Sequence, residues 1–214
     1  MECLIGVAFK DFVVLASDKT NAYSLFCHEE KLFKISDKLV MAIAGESGDT
    51  VQFAEFISKN IQLYKMRNGY SLSPKAAAVY TRRNLADYLR SRTPYNVNML
   101  IGGYSEDEGA KLFFIDYLAS LMDLPYACHG YGGLITVSIL DRYYRENMTQ
   151  AEAYELIKMC VREIHKRLVI NLANFKVQVI SKDGIKDLPD ITIQKRKIII
   201  YSIYTSTNTE VAFG

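Results

Sequence analysis

A chain of 214 residues with 50% hydrophobic and 23% charged residues has the size and the balance of one folded domain, which excludes a disordered chain. The formal net charge is only +2, and the lysines and arginines are scattered along the sequence. Proteins that bind nucleic acid concentrate basic residues in a patch or stripe, so this composition argues against a nucleic-acid partner.

The cysteines are far apart, and none belongs to a C-x-x-C pair: Cys3, Cys27, Cys128 and Cys160. This spacing predicts reduced thiols rather than a zinc site or a disulfide framework. The first residues have neither the basic nor the apolar region of a signal peptide, so we expect none, and no stretch reaches the ~20 apolar residues of a membrane-spanning helix. We therefore expect a soluble protein of the cytoplasm or nucleus, with no membrane partner and no cofactor.

Four short apolar stretches open the chain before any helical pattern: 4–9, 12–16, 31–35 and 39–44. Lys10-Asp11 separates the first two, and Ser36-Asp37-Lys38 separates the last two, which is typical of β-hairpins. Strands that follow each other without an intervening helix favour an antiparallel arrangement over a repeating parallel unit.

The apolar period then becomes helical, with residues recurring three and four positions apart: Ala54, Ile57, Ile61 and Tyr64. Ser47 or Asp49 is the expected N-cap of this helix, and Asn68-Gly69 ends it. Ser73-Pro74 begins a second helix, because serine caps the free N–H groups and proline needs none at the first helical position.

The second half of the chain repeats this alternation. Strands are expected over 95–104 and 111–116, with a further strand pair over 118–128. One helix follows Gly133, and the capping-box spacing of Thr149 and Glu152 begins a longer one. Lys182-Asp183-Gly184 then forms the turn of a last hairpin. The order predicts an α+β domain in which two antiparallel sheets pack face to face between helix pairs, although other α+β arrangements share this order.

The last segment has a different character. Residues 195–197 are basic, and 198–204 form a strongly β-prone apolar run. A free apolar strand invites aggregation, so we expect another surface to cover it or the segment to be disordered. The basic triplet is weak as a nuclear localisation signal and is better interpreted as a solvated strand end.

Several stretches resemble beta-type subunits of the 20S proteasome, most closely the beta type-2 subfamily. They are GESGDTVQFAEFI (45–57), TRRNLA (81–86), RSRTPYNVN (90–98), HGYG (129–132) and LDRYY (140–144). The resemblance covers residues 1–190 and leaves 191–214 as an unmatched tail. It implies the four-layer αββα sandwich of N-terminal nucleophile hydrolases. It also implies a place beside other alpha and beta subunits in a stack of four heptameric rings.

Active subunits of this family use an N-terminal threonine as nucleophile, with its own α-amine as base. Here Met1 stands at the level of that start, no threonine precedes Thr20, and we expect no leader to be removed. By the resemblance, Asp18 and Lys31 correspond to the residues beside the nucleophile, and Ala44-Gly45 to the turn whose N–H stabilises the oxyanion.

Other family positions differ from those of active subunits. Tyr131 stands in place of a serine, and Leu168 and Asn171 replace an aspartate and a second serine. We therefore expect no catalytic residue and interpret Asp18 and Lys31 as a structural ion pair. The leading hypothesis is a non-catalytic subunit that completes the beta ring around a chamber reached by protein substrates.

Two alternatives remain from the sequence. The first is an active hydrolase that uses Cys3 after cleavage of Met1-Glu2, and the second is a monomeric binding module. Other candidate sites have plainer interpretations. Cys27-His28 and Cys128-His129 pair a thiol with an imidazole, but adjacent residues of a strand point to opposite faces. His165 lies near the end of a long helix, where it complements the dipole. Residues 130–133 lack the spacing of a phosphate loop.

Overall fold

The computed structural model describes residues 2–20, 30–168, 172 and 174–193. Within these ranges the chain forms ten strands and four helices in the order β-β-β-β-α-α-β-β-β-β-α-α-β-β. Their bounds are β1 Cys3–Ala8, β2 Phe12–Asp18, β3 Leu32–Ser36, β4 Leu39–Gly45, α1 Ser47–Asn68, α2 Pro74–Leu89, β5 Val97–Ser105, β6 Gly109–Ile115, β7 Leu121–Asp123, β8 Tyr126–Gly130, α3 Gly133–Tyr143, α4 Gln150–Arg167, β9 Asn174–Ser181 and β10 Gly184–Thr192.

The strands form two five-stranded sheets, and every neighbouring pair is antiparallel. The first sheet has the order β10-β9-β2-β1-β8 and the second has the order β3-β4-β5-β6-β7. The chain start and β2 therefore belong to one sheet, whereas β3 and β4 belong to the other.

Three apolar cores separate four layers. One core lies between the first sheet and α3 and α4, and a second lies between the second sheet and α1 and α2. The third lies between the sheets, where Leu4 and Leu15 of the first sheet meet Val40 and Leu100 of the second. Both faces of the central strands are covered, which is why β2 is buried at every position. The predicted αββα sandwich is confirmed.

The sheets approach each other closely because glycines face the gap between them. A Cβ at Gly102 would lie 2.9 Å from Val13 Cγ1, and one at Gly6 would lie 2.9 Å from Leu112 Cδ1. Larger residues at these two positions would push the layers apart.

Several local signals are confirmed. The first two strands form the predicted hairpin, as do β9 and β10. The Ser73 hydroxyl accepts a hydrogen bond from Ala76 N at 3.2 Å at the start of α2. Both reciprocal contacts of the capping box between Thr149 and Glu152 are present at the start of α4.

Two expectations were wrong. Neither Ser47 nor Asp49 caps α1: Glu46 is the N-cap without a side-chain hydrogen bond, and the Asp49 carboxylate instead accepts the N–H of Asn96 at 3.0 Å. Residues 118–128 do contain two strands, but they do not pair. Strand β7 pairs with β6 in the second sheet and β8 pairs with β1 in the first, so this segment crosses between the layers.

Strand β10 follows the predicted turn at residues 182–184 and continues to Thr192, through an irregularity between Leu188 and Ile191, next to Pro189. The β-prone run 198–204 lies outside the described residues. None of the helices in the described ranges is long and apolar enough to cross a bilayer.

We predict that Gly102→Ala destabilises the chain by about 1–3 kcal/mol, because the added methyl group overpacks the inter-sheet core. The matched control is Gly48→Ala, where a Cβ meets nothing within 4 Å in the first turn of α1. It should leave the free energy of unfolding unchanged or slightly higher. Urea unfolding of the full chain measures both. A Gly102→Ala chain as stable as the wild type would contradict the close packing of the sheets.

Candidate functional site

A buried carboxylate lies where the two sheets meet. Asp18, the last residue of β2, has no exposed surface. Its Oδ1 accepts the N–H of Cys3 at 2.7 Å, and its Oδ2 accepts the N–H of Thr20 at 3.1 Å and the ammonium of Lys31 at 2.9 Å. Two backbone donors and one cation thus compensate for the lost hydration of this carboxylate.

Lys31 precedes β3 and is only 3% exposed. Besides Asp18, its ammonium donates to the carbonyl oxygen of Thr20 at 2.9 Å. The carbonyl oxygen of Lys31 accepts the N–H of Ile43 at 2.9 Å, which fixes the lysine backbone against β4. Lys31 is therefore anchored at the first sheet by its ammonium and at the second sheet by its backbone.

Glu2 completes the group at the start of the chain. Its Oε2 accepts the N–H of Gly45 at 2.6 Å, and its Oε1 lies 3.6 Å from Lys31 Nζ. Burial raises the pKa of this carboxyl group, and the charge of Lys31 and the N–H of Gly45 offset part of that rise. Hereafter "the Lys31 site" means Glu2, Asp18, Lys31 and the Gly45 N–H.

Gly45 offers its N–H because only glycine fits there. It ends β4 with a φ of +153°, and a Cβ would overlap the carbonyl oxygen of Asn96. Pairing with Val97 of β5 holds this backbone in place. The donor is thus part of the sheet and does not depend on a mobile side chain.

Two glycines fix the backbone at the chain start. Gly130 has a φ of +84°, and a Cβ there would overlap the carbonyl oxygen of Glu2. A Cβ at Gly132 would overlap the sulfur of Cys3. The glycine-rich turn after β8 therefore packs against residues 2 and 3, and this close approach explains its composition.

Comparison with known proteins agrees with this fold. Residues 2–180 match the family model described as "Proteasome subunit". Proteasome subunit beta type-4 of Saccharomyces cerevisiae is 43% identical over 198 residues, which cover 91% of this chain and 100% of the yeast protein. Proteasome subunit beta type-2-A of Arabidopsis thaliana is 41% identical over 190 residues, which cover 87% of this chain and 93% of the plant protein.

The chain belongs to the proteasome subunit family. The resemblance to beta-type subunits is confirmed, and with it the N-terminal nucleophile type of sandwich. Membership in a family of proteasome subunits also implies assembly with other proteasome subunits.

The structure brings together three of the residues that the resemblance alone assigns to the catalytic group of active subunits. Asp18, Lys31 and Gly45 meet in the Lys31 site. Tyr131 is 65% exposed, and Leu168 follows the last turn of α4, where it packs beside the core between the first sheet and its helices. Met1 and Asn171 lie outside the described residues.

Glu2 is the functional group that the sequence alone did not reveal. Its contacts are to residues distant in the sequence, and Gly45 is 43 positions away. The available signal was a single acidic residue directly before a fully apolar strand, with no hairpin or helical partner to explain it.

Two thiols of the described chain, Cys3 and Cys160, are poor nucleophiles in this fold. Cys3 is fully buried in the core between the first sheet and α4, and burial raises the pKa of its thiol well above the ordinary value. Burial likewise raises the pKa of Cys160, in α4, to about 12. Because the reactive species is the thiolate, these thiols are suited to packing rather than to catalysis.

Cys128 and His129, the remaining thiol and imidazole neighbours in the described part of the chain, point to opposite sides of their sheet. Cys128 contacts the helix-side core, whereas His129 stacks on Phe114 at 4.2 Å on the inter-sheet side, as predicted for strand neighbours. Cys27-His28 lies outside the described residues, and His165 lies in the last turn of α4. Within the described ranges, no three His, Cys, Asp or Glu side chains are grouped so as to hold a metal ion.

We predict that Glu2 contributes a pH dependence to stability. Its native pKa is raised, so above the unfolded value of about 4.3 the folded chain retains a proton that the unfolded chain has lost. The contribution of Glu2 to the free energy of unfolding therefore falls as the pH rises from the unfolded pKa to the native pKa. Below the unfolded pKa both states keep the proton, so Glu2 does not lower the stability there. Glu2→Gln lacks this decrease.

Urea unfolding of the full chain at a series of pH values gives the difference between wild type and Glu2→Gln. Glu155→Gln, in α4 at the surface, controls for the loss of one negative charge. A difference that stays constant from acidic to neutral pH would contradict the raised pKa, and one of opposite slope would indicate a lowered pKa.

Proposed function

We propose that this chain is a non-catalytic structural subunit of the 20S proteasome core particle, at the beta-4 position of the beta ring. One observation carries the proposal: the Glu2 carboxylate fills the space beside the Lys31 ammonium and the Gly45 N–H. A catalytic subunit needs a nucleophile and the substrate's carbonyl oxygen in that space.

The Lys31 site has the wrong chemistry for acyl transfer. Within the described part of the chain, Lys31 Nζ contacts two carboxylates and one carbonyl oxygen, and none of these groups is a hydroxyl or a thiol. The Gly45 N–H, which would stabilise an oxyanion, already donates to Glu2. An ion pair with this geometry serves to hold β2 against the start of β3.

Exposed apolar side chains on two helices support the proposal that the chain assembles with other subunits. On α3, Leu134 is 88% exposed and Val137 is also exposed. On α1, Leu63 and Met66 are exposed as well. Each helix thus presents two apolar side chains three residues apart on its outer surface, a position suited to a protein–protein contact. We propose that they face neighbouring alpha and beta subunits in a stack of four heptameric rings.

The proposed role is to complete the beta ring and to wall the chamber in which other subunits degrade proteins in the ATP- and ubiquitin-dependent pathway. The corresponding locations are the cytoplasm and the nucleus. The resemblance assigned residues 1–190 to the ring domain and 191–214 to a tail; Ile191 and Thr192 complete β10, so we place them in the ring domain. The alternative hydrolase that uses Cys3 is not favoured, because this thiol is fully buried in the helix-side core and burial raises its pKa.

The test is native purification of the tagged chain, followed by treatment with a peptide vinyl sulfone and intact-mass analysis. We expect co-migration with a particle many times the 24.3 kDa of the chain, with other subunits modified and this chain unmodified. A monomer would refute the structural role. An adduct on Cys3 after loss of Met1-Glu2 would refute the absence of catalysis and support the alternative.

A matched pair of surface variants tests assembly. Leu134→Ser removes an exposed apolar contact from α3 and should lower the fraction of chain that co-migrates with the particle. The free energy of unfolding should change by only about 0.5–1 kcal/mol, since the side chain is 88% exposed. Lys182→Ser, in the turn between β9 and β10, is the control and should assemble as the wild type does. Equal assembly of both variants would exclude Leu134 from the interface.

A further inference from the structure

The geometry points to a second role for the Lys31 site. We propose that it is a carboxylate-binding site occupied by the chain's own Glu2, and that a small external monocarboxylate occupies it when Glu2 is removed. The inference concerns the binding chemistry of this site and holds whether or not the subunit is catalytic.

The donors form a built site for one carboxylate. The Lys31 ammonium lies 3.6 Å from Oε1 of Glu2, and the Gly45 N–H donates to Oε2 of the same carboxylate at 2.6 Å. Lys31 is 3% exposed and therefore has little access to water. The Gly45 N–H makes a hydrogen bond to one carboxylate oxygen, and the Lys31 ammonium attracts the other oxygen electrostatically.

These donors do not depend on Glu2 for their position. Gly45 is fixed by pairing of β4 with β5, and Lys31 is held by Asp18 and by the carbonyl oxygen of Thr20. Removing the Glu2 side chain therefore leaves the Gly45 N–H without an acceptor, in a pocket whose other walls stay in place.

Glu2 itself is held as a preorganised ligand. The Asp18 carboxylate accepts the N–H of the next residue, Cys3, and Gly130 lies directly against the Glu2 carbonyl group. The Glu2 side chain is 15% exposed, so the site borders solvent. Formate or acetate can thus enter from solvent once the side chain is shortened.

The experiment compares thermal unfolding of Glu2→Ala in sodium formate and in sodium chloride at equal ionic strength. Glu2→Ala should have a lower Tm than the wild type in chloride. Formate at ten times its Kd should raise that Tm by about 3–6 °C, because it binds the folded chain only. The wild type and Glu155→Ala, a surface variant of α4, should show no difference between formate and chloride.

Two further variants separate binding at this site from general effects. Glu2→Gln retains an amide oxygen for the Gly45 N–H and should not respond to formate. Glu2→Ala combined with Lys31→Met should lose the response, because the cation is absent. A Glu2→Ala chain that gains no more from formate than from chloride overturns the proposal.

If Glu2→Ala does not fold in chloride, the recovery of folded chain replaces Tm as the measurement. Recovery of folded chain in formate, but not in chloride, supports the proposal, and failure in both salts counts against it. Hydrogen exchange at the Gly45 amide gives a second measurement on the full chain. This amide should exchange slowly in the wild type and in Glu2→Gln, faster in Glu2→Ala, and slowly again when formate is added. An exchange rate that is the same in all three chains would also overturn the proposal.

Discussion

The buried carboxylate of Asp18 connects three segments that approach it from different directions. It receives the N–H of Cys3 at the start of β1, the N–H of Thr20 after β2, and the ammonium of Lys31 before β3. Strands β1 and β2 belong to one sheet and β3 to the other, so a single side chain joins the sheets at one edge. Because the carboxylate has no exposed surface, loss of any of these partners leaves charge or polarity uncompensated in the core.

The same constraint gives the ion pair a role in stability that does not depend on catalysis. Truncating one member of a buried pair is strongly destabilising, typically by about 3–5 kcal/mol, since the other charge remains buried. Asp18 and Lys31 are thus tied to each other by stability, whatever chemistry takes place beside them. The position next to the pair is under no such restriction, and here the Glu2 carboxylate occupies it.

Local signals predicted the elements of the fold, but not how all of them pair. The turn at Lys10-Asp11 and the cap at Ser73 depend on neighbouring residues, so spacing in the sequence was enough to find them. The separation of β7 and β8 into different sheets depends on contacts with β6 and β1, which no local pattern encodes. The N-cap of α1 failed for the same reason, because Asp49 bonds to Asn96, 47 residues away.

The residues of the Lys31 site were likewise predicted only in part. Asp18, Lys31 and Gly45 were found through the family resemblance, and nothing in their spacing would have grouped them. Glu2 was missed because its place depends on Gly130 and Gly45, whose backbones exclude a Cβ only once the sheets have formed.

These glycines decide what the site contains. Gly130 allows the Glu2 carbonyl to approach β8, and Gly45 presents an N–H that no bulkier residue could present at the same angle. Burial raises the pKa of the Glu2 carboxyl group, so placing it there has an energetic cost that Lys31 and Gly45 only partly offset. The backbone that creates the pocket is therefore also what keeps this carboxylate inside it. The side chain at residue 2, rather than the ion pair beneath it, determines whether the Gly45 N–H is free to meet an external acyl or carboxyl group.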